Sequence, residues 1–311
     1  MNSLLPADRT PARDVAIVIV GLNAHGFVRH CLDSLLRAQW RRVTYETIYV
    51  DNGSTDGTVA DLRQAYPWVI LIENDHNAGY CKAANQGARR ANSRYFYFLN
   101  DDTVVLEDAI ALLVEYMDAH REVATVGSRL LYPDGLEQYS GRRFPTFLNG
   151  FMGRSSPLTR LFPNAPWVRR YLCKDQLAQA EPFPVDWVSA AGQIVRPSDF
   201  WQVGGYAEDY YYWHEAVLCW RLTRRGRKVV LHPRSKVIHH EGRGSGYRPY
   251  AVQKFHILDF HRGAYRSYCE LHGLGRFHPA RWTTGTLLAG RAGLRLALAR
   301  LQSLVPPKSR D

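Results

Sequence analysis

No stretch of the 311 residues approaches the roughly 20 consecutive apolar residues that a membrane-spanning helix needs. A soluble or peripheral protein is expected. Cysteine is scarce: Cys31, Cys81, Cys173, Cys219 and Cys269 are odd in number and form no C-x-x-C pair. That disfavours a disulfide framework or a structural zinc site and points to a reducing, cytoplasmic compartment. The first 14 residues lack the apolar core of a secretory signal. With two prolines and alternating charges, they read as a mobile leader. There is no internal repeat, no low-complexity tract and no aromatic–basic array of the kind that binds nucleic acid.

What is present is an ordinary folded composition, 46% apolar and 22% charged, long enough for two domains or one large domain with an appendage. Forty Lys and Arg against 29 Asp and Glu leave a net charge of +11. Such a balance attracts an anionic partner: nucleic acid, a phosphorylated substrate or an anionic membrane.

Apolar runs alternate with helical spacing along the first third. Val15 to Leu22 predicts a strand buried on both faces. Glu46 to Val50, Val69 to Ile72 and Tyr95 to Leu99 predict three more. Helical spacing between them runs through Val28, Leu32 and Leu35, through Val59, Leu62 and Tyr66, and through the small residues Ala83, Ala84, Gly87, Ala88 and Ala91. Ile110, Leu113, Val114 and Met117 mark a further helix. This alternation predicts a doubly wound, mostly parallel α/β sheet, with ligands bound at the carboxyl ends of its strands. Those ends carry Asn23, Asp51 and Asn100-Asp101-Asp102. Residues 133–184 show little periodicity and read as a partly mobile excursion. Val188 to Arg196 reads as a strand pair or hairpin, Val217 to Gly226 as a helix, and Val229–Leu231 and Lys236–Ile238 as short strands. From Ala251 the chain reads as helical.

Adjacent carboxylates after an all-apolar strand repel unless a cation or ligand compensates, so Asp101 and Asp102 fit a hard divalent ion bridging to phosphate. They fit equally a turn before the helix at 107–119. Asp51, within Asp51-Asn52-Gly53-Ser54-Thr55-Asp56-Gly57, can accept from a nucleobase imide or simply shape a strand–turn–helix corner. In Asn77-Ala78-Gly79-Tyr80-Cys81-Lys82-Ala83-Ala84-Asn85-Gln86-Gly87, Gly79 opens a helix whose N-terminus can receive anionic groups.

Taken in order, these segments resemble the family 2 glycosyltransferases, of GT-A fold, and more narrowly their bacterial rhamnosyltransferase-like branch. The resemblance runs from about Val15 to about Gly246. Leu22-Asn23 stands where members show Tyr-Asn, and Asn100-Asp101-Asp102 stands at the Asp-x-Asp-type metal motif. Val185-Asp186-Trp187-Val188-Ser189-Ala190-Ala191 is similar to the acceptor-side segment, where Trp187 either offers a face to a sugar ring or fills the core. Tyr211 to Arg221 looks like the segment that carries the catalytic base. An ungapped match puts Trp213 on the family tryptophan and Glu215 on the base. A second placement, one residue shifted, puts Glu215 on the Glu of a Glu-Asp pair. His214 and Val217 stand where acids are commoner, and Glu215 is the surviving acid in either frame.

The resemblance implies a nucleotide-sugar-binding half (15–132) and an acceptor and base half (133–246); beyond it the sequence pattern gives a helical C-terminal region (247–311). It implies donor-site roles for Asn23, Asp51, Asn77, Gly79, Lys82, Asn85 and Asp101. It further implies Mg²⁺ or Mn²⁺ on Asp102 with Asp101 and His240, His239 being the neighbour, and Arg243 in a glycine-rich phosphate lid. The expected reaction is inverting transfer from a dTDP- or UDP-sugar, dTDP-rhamnose first, to a glycan or lipid-linked acceptor. UDP-galactofuranose as donor and a noncatalytic nucleotide-sugar-binding protein are the alternatives. Leu287, Leu294, Leu298, Leu301 and Val305 share one helical stripe. The stretch 285–305 therefore packs on the domain or a second subunit, or rests on the inner face of an anionic plasma membrane.

Overall fold

The computed structural model describes residues 10–144, 159, 161–241 and 249–303. Its centre is a nine-stranded sheet of order β3-β2-β1-β4-β10-β6-β11-β5, with β8 beside β11. β1 (Arg13–Gly21), β2 (Tyr45–Asp51), β3 (Ile70–Glu73) and β4 (Ser93–Asn100) run parallel. The helices α1 (Val28–Arg37), α2 (Thr58–Ala65) and α3 (Tyr80–Arg90) connect them.

The two-faced burial of β1 follows from its alternation. Val15, Ile17 and Ile19 join one core with Cys31, Leu32 and Leu35 of α1 and with Ile110, Leu113 and Met117 of α4 (Ala109–Ala119). Ala16 and Val18 join the other, against Ala83, Ala84 and Ala88 of α3. The small residues of α3 let it lie close to the strands.

The register decides what meets at the carboxyl edge. Gly21 pairs Asp51, Asp51 pairs Glu73, and Val20 pairs Asn100. β5 (Thr103–Val105) turns straight back from β4 and pairs antiparallel with β11 (Lys228–His239), His239 opposite Thr103. The expected pair of short late strands is thus one long strand, irregular between His232 and Lys236.

The second half of the sheet is mixed. β6 (Val123–Leu131) was not distinguished in the sequence pattern; it pairs parallel with β11. The strand pair or hairpin expected at 188–196 is two strands that do not pair with each other. β9 (Trp187–Val188) pairs β7 (Gly141–Arg142) in a separate two-stranded sheet, whereas β10 (Gly192–Val195) enters the main sheet antiparallel between β4 and β6. Because β10 is antiparallel to β4, its first residue, Gly192, lies beside Leu99. Segment 185–191 is thereby delivered to the site end.

The excursion contains α5 (Pro166–Tyr171), α6 (Lys174–Leu177) and β8 (Phe183–Pro184). α7 (Pro197–Gln202) and α8 (His214–Thr223) cover the sheet, and α9 (Tyr250–Leu271) and α10 (Pro279–Ser303) form the C-terminal helical pair.

Candidate active site

Asp51 is buried and shapes its own loop. One carboxylate oxygen accepts from the backbone N–H groups of Gly53 (3.0 Å) and Ser54 (2.8 Å), and the other accepts from the Ser54 hydroxyl. The same loop is tied to Asn23, which sits at φ 51°. The Asn23 N–H donates to Ser54 Oγ (2.8 Å), and its side-chain oxygen accepts from the Thr55 N–H (2.9 Å). Asn77 accepts from the Gly79 N–H (3.0 Å), and Gly79, at φ 84°, leads into α3 with Lys82 exposed in its first turn. Asn85 is turned away from this edge. Its amide donates to the Tyr206 carbonyl (2.8 Å) and Glu208 (3.0 Å) and accepts from the Tyr206 N–H (3.0 Å). It is expected at the donor site; here it braces α3 against the 206–208 turn.

The acidic strand end lies close by. Asp101 and Asp102 are only 4% and 8% exposed. A Cβ on Gly21 would stand 2.7 Å from an Asp101 carboxylate oxygen and 1.7 Å from the Tyr49 hydroxyl, so only glycine lets β1 end there. Asp102 Oδ1 is 3.3 Å from His239 Nε2. His240 is the imidazole expected here, but the one the structure sets against Asp102 is that of its neighbour His239. Residues two apart on a strand share a face, and His239 follows Val237 inward. His240 reaches Asp102 through its backbone N–H (2.9 Å to the carbonyl), and its ring tilts against Phe27 at 5.7 Å. His239 also contacts Asn100 Nδ2 (3.1 Å) and Gln138 (2.8 Å).

Among the described residues, no group of three or more His, Cys, Asp or Glu side chains is already gathered into a metal cage. The donor set nonetheless fits a divalent cation shared with a phosphate ligand. Asp102 meets one imidazole, Asp101 is its buried neighbour in sequence, and such ions keep part of their coordination for substrate oxygens. Arg243 and the rest of Gly242–Gly246 lie outside the described residues, as do Val305 and the leader up to residue 9.

Glu215 lies in the first turn of α8, where the helix dipole favours a carboxylate. Trp213, immediately before the helix, has φ 72°, a conformation that costs a non-glycine residue about 1–3 kcal/mol. The helix α9 holds it there. The Trp213 indole N–H donates to the Phe260 carbonyl (3.2 Å), and the Tyr212 hydroxyl meets His256 Nδ1 at 2.9 Å. The N-terminus of α3 approaches from the other side. The Tyr80 hydroxyl and the Cys81 thiol are pushed well up, first by burial and then by neighbouring negative groups that include Glu215. His214 is buried between the Tyr80 and Tyr206 rings, with Nδ1 on the Tyr211 carbonyl (3.2 Å) and 3.6 Å from Glu215.

Trp187 is a core residue. It is buried, with the Arg142 guanidinium over its ring (4.6 Å) and Trp213 beside it (6.3 Å), and its N–H donates to the Arg143 carbonyl. Sequence reasoning missed Gln138 and the α9 residues Phe260 and Gly263; none lies in a patterned segment or beside a motif.

The fold is that of the GT-A nucleotide-sugar transferases. The solved mannosyltransferase PcManGT of Pyrobaculum calidifontis, in complex with GDP-Man and Mn²⁺, superposes with a TM-score of 0.59 at 17% identity, covering 98% of this chain and 85% of that one. The model of glycosyl transferase family 2 matches residues 16–175, and the chain belongs to that family. It is 29% identical to the N-acetylglucosaminyl-diphospho-decaprenol L-rhamnosyltransferase of Mycobacterium tuberculosis, across 89% of this chain and 91% of that protein. It is 25% identical to the rhamnosyltransferase WbbL of Escherichia coli over 49% of this chain and 54% of that one. The chain is therefore a glycosyltransferase.

Proposed function

We propose that the chain transfers L-rhamnose, with inversion, from dTDP-rhamnose to a hydroxyl of a lipid-linked glycan. The observation that carries the reading is an Asp102–His239 corner at the carboxyl edge of the sheet together with Glu215, at the start of α8, facing the N-terminus of α3, which follows that same edge. The 29% identity to a rhamnosyltransferase along nearly its full length supports the sugar, and that relative's name supports a lipid diphosphate acceptor.

In this reading Asp101, Asp102 and His239 hold Mg²⁺ or Mn²⁺, which when bound offsets the charge growing on the leaving diphosphate. The Asp51 loop and the 77–82 turn present backbone to the nucleotide. Asp51 recognises an imide only through lone pairs that its loop leaves over. Glu215 takes the acceptor proton as the acceptor oxygen bonds to the anomeric carbon and the carbon–oxygen bond to the diphosphate breaks. Glu215 as the base, with no second carboxylate placed against it among the described residues, supports one in-line displacement.

The test is a panel of dTDP-, UDP- and GDP-sugars with metal present, scored by nucleoside diphosphate release. Release from dTDP-rhamnose is expected; release from a UDP-sugar alone would overturn the donor.

The same reading includes peripheral contact with a membrane. Among the described residues no helix is long and apolar enough to cross one. On α10, Leu287, Leu294, Leu298 and Leu301 are 44–63% exposed, while Leu288, Ala292 and Ala299 face inward. That helix carries no acid; Arg295 is exposed beside the leucines, whereas Arg281 is tied to Tyr265, Arg291 is half-buried and Arg300 lies over Tyr250. Such a face suits an anionic bilayer, each arginine near the surface adding about 1 kcal/mol. Sedimentation with anionic liposomes, lost in high salt and on truncation after Thr283, is the expected result. Failure of the full chain to bind, or dimerisation through this face, would overturn it.

A further inference from the structure

We propose that Gln138 is a positioning residue that sets which nitrogen of His239 faces the acidic corner. The inference rests on the metal-holding role given above to Asp102 and His239.

Gln138 is 1% exposed and follows the turn after β6, its N–H bonded to the Leu130 carbonyl (3.0 Å). Its side chain makes two bonds to one residue. Nε2 donates to the His239 carbonyl (2.6 Å), and Oε1 meets His239 Nδ1 (2.8 Å). The first bond decides the second. A backbone carbonyl can only accept, so the amide nitrogen must face it, and the amide oxygen is left for the ring. An amide oxygen also only accepts, so Nδ1 must carry the hydrogen. In the neutral imidazole Nε2 is then the nitrogen with the lone pair. That nitrogen lies 3.1 Å from Asn100 Nδ2 and 3.3 Å from Asp102 Oδ1.

Two consequences follow. The neutral ring cannot present a hydrogen at Nε2 without breaking the Gln138 bond, and the Asn100 amide nitrogen, a donor 3.1 Å away, also meets a lone pair there, so the neutral ring offers that lone pair beside the Asp102 carboxylate, where a cation is favoured between them. The ring is also fixed in rotation by a side chain anchored to its own backbone. Outer partners of this kind commonly contribute 10- to 100-fold to metal affinity.

The test uses the full chain, wild type beside Gln138→Met and His239→Ala. Gln138→Met keeps the length and bulk of the side chain and removes both bonds. Mn²⁺ binding is read by electron paramagnetic resonance, and the His239 tautomer by ¹⁵N chemical shifts in the metal-free protein. The wild type should show Nδ1–H at His239. Gln138→Met should shift the ring toward Nε2–H and weaken Mn²⁺ binding about 10- to 100-fold, with His239→Ala at least as weak. An Nε2–H tautomer in the wild type would overturn the proposal, even if the variant fails to fold. So would wild-type Mn²⁺ affinity in Gln138→Met alongside a loss in His239→Ala. If the wild type binds no Mn²⁺ at all, the metal reading itself is what fails, and the tautomer measurement still decides the role of Gln138.

Discussion

The two sides of the site are held by different forces. On the donor side, polar side chains close their own loops. Asp51, Asn23 and Asn77 each bond to backbone within a few residues or across to the neighbouring strand end, and the acidic corner is braced by Gln138 through His239. On the base side, packing does the holding. Glu215 has aromatic neighbours before it and a long helix behind, with Tyr212 and Trp213 against Phe260 at 5.7 and 5.4 Å. The side proposed to take the donor is thus held by short-range polar bonds, which suits the charged, conformationally demanding diphosphate of that proposal. The base side is set by side-chain volume and can be shifted by volume alone.

The largest expected effect tests the donor side. Asp102→Ala should abolish transfer and also weaken nucleoside diphosphate binding in Mn²⁺, by about tenfold or more. Near-normal turnover in the variant, or full wild-type activity in EDTA, would end the assignment. Glu215→Gln should behave differently, losing roughly 10²- to 10⁴-fold in turnover while donor affinity stays put. A fall in donor affinity as large as the fall in turnover would erase the distinction between the two sides. If His214→Ala costs far more than Glu215→Gln, the base is His214.

Gly263→Ala probes the packing claim at lower cost. A Cβ there would stand 3.1 Å from Trp213 Cδ1 and 3.2 Å from the Tyr212 carbonyl oxygen. Alanine also suits a helix interior better than glycine by about 1 kcal/mol. The melting temperature should therefore hold while transfer drops, on the order of tenfold, because small displacements of a reacting group are costly. Unchanged transfer would show that the base tolerates movement of Trp213.

The contrast also separates what the sequence makes legible from what it does not. β1 to β4 stand out because parallel strands covered on both faces are continuous apolar runs, and their polar ends are short and local. Asp51 and Asp102 are legible for that reason. The second half pairs residues that are distant in sequence. β10 inserts between β4 and β6, and nothing in Gly192–Val195 announces its partners. β6 follows a helix too closely to read as a separate element. Trp187 and Asn85 sit in the matching motifs, yet their side chains are engaged in packing and in bonds to the 206–208 turn, because a motif records residue type and not the direction of a side chain. The choice between His239 and His240 needs the strand's phase, which the irregularity between His232 and Lys236 hides.

The smallest effect concerns acid stability, and it too divides the molecule. In the first half, Asp56 is affected first by burial, which raises it. Hydrogen bonds from the Thr58 hydroxyl and backbone and from the His25 N–H outweigh that and hold it below the usual carboxylate range. Its contribution is full above the unfolded carboxylate value, about 4, and is lost only as pH falls below that. In the second half, His232 on β11 is buried edge-on to Tyr116 at 5.7 Å. Burial, and then Arg234, lower it to about 4. Because the folded value lies below the unfolded one, about 6.5, stability is full above 6.5. It declines as pH falls toward 4, where the loss levels off. The decline should reach at most about 3 kcal/mol from this residue. Urea unfolding at stepped pH should show stability falling between pH 6.5 and 4 in the wild type. His232→Phe keeps a ring against Tyr116 and removes the proton site, so its slope should be flatter in that window, with no change in the loss below pH 4 that Asp56 brings. An equal slope in both proteins would place the acid sensitivity elsewhere than β11.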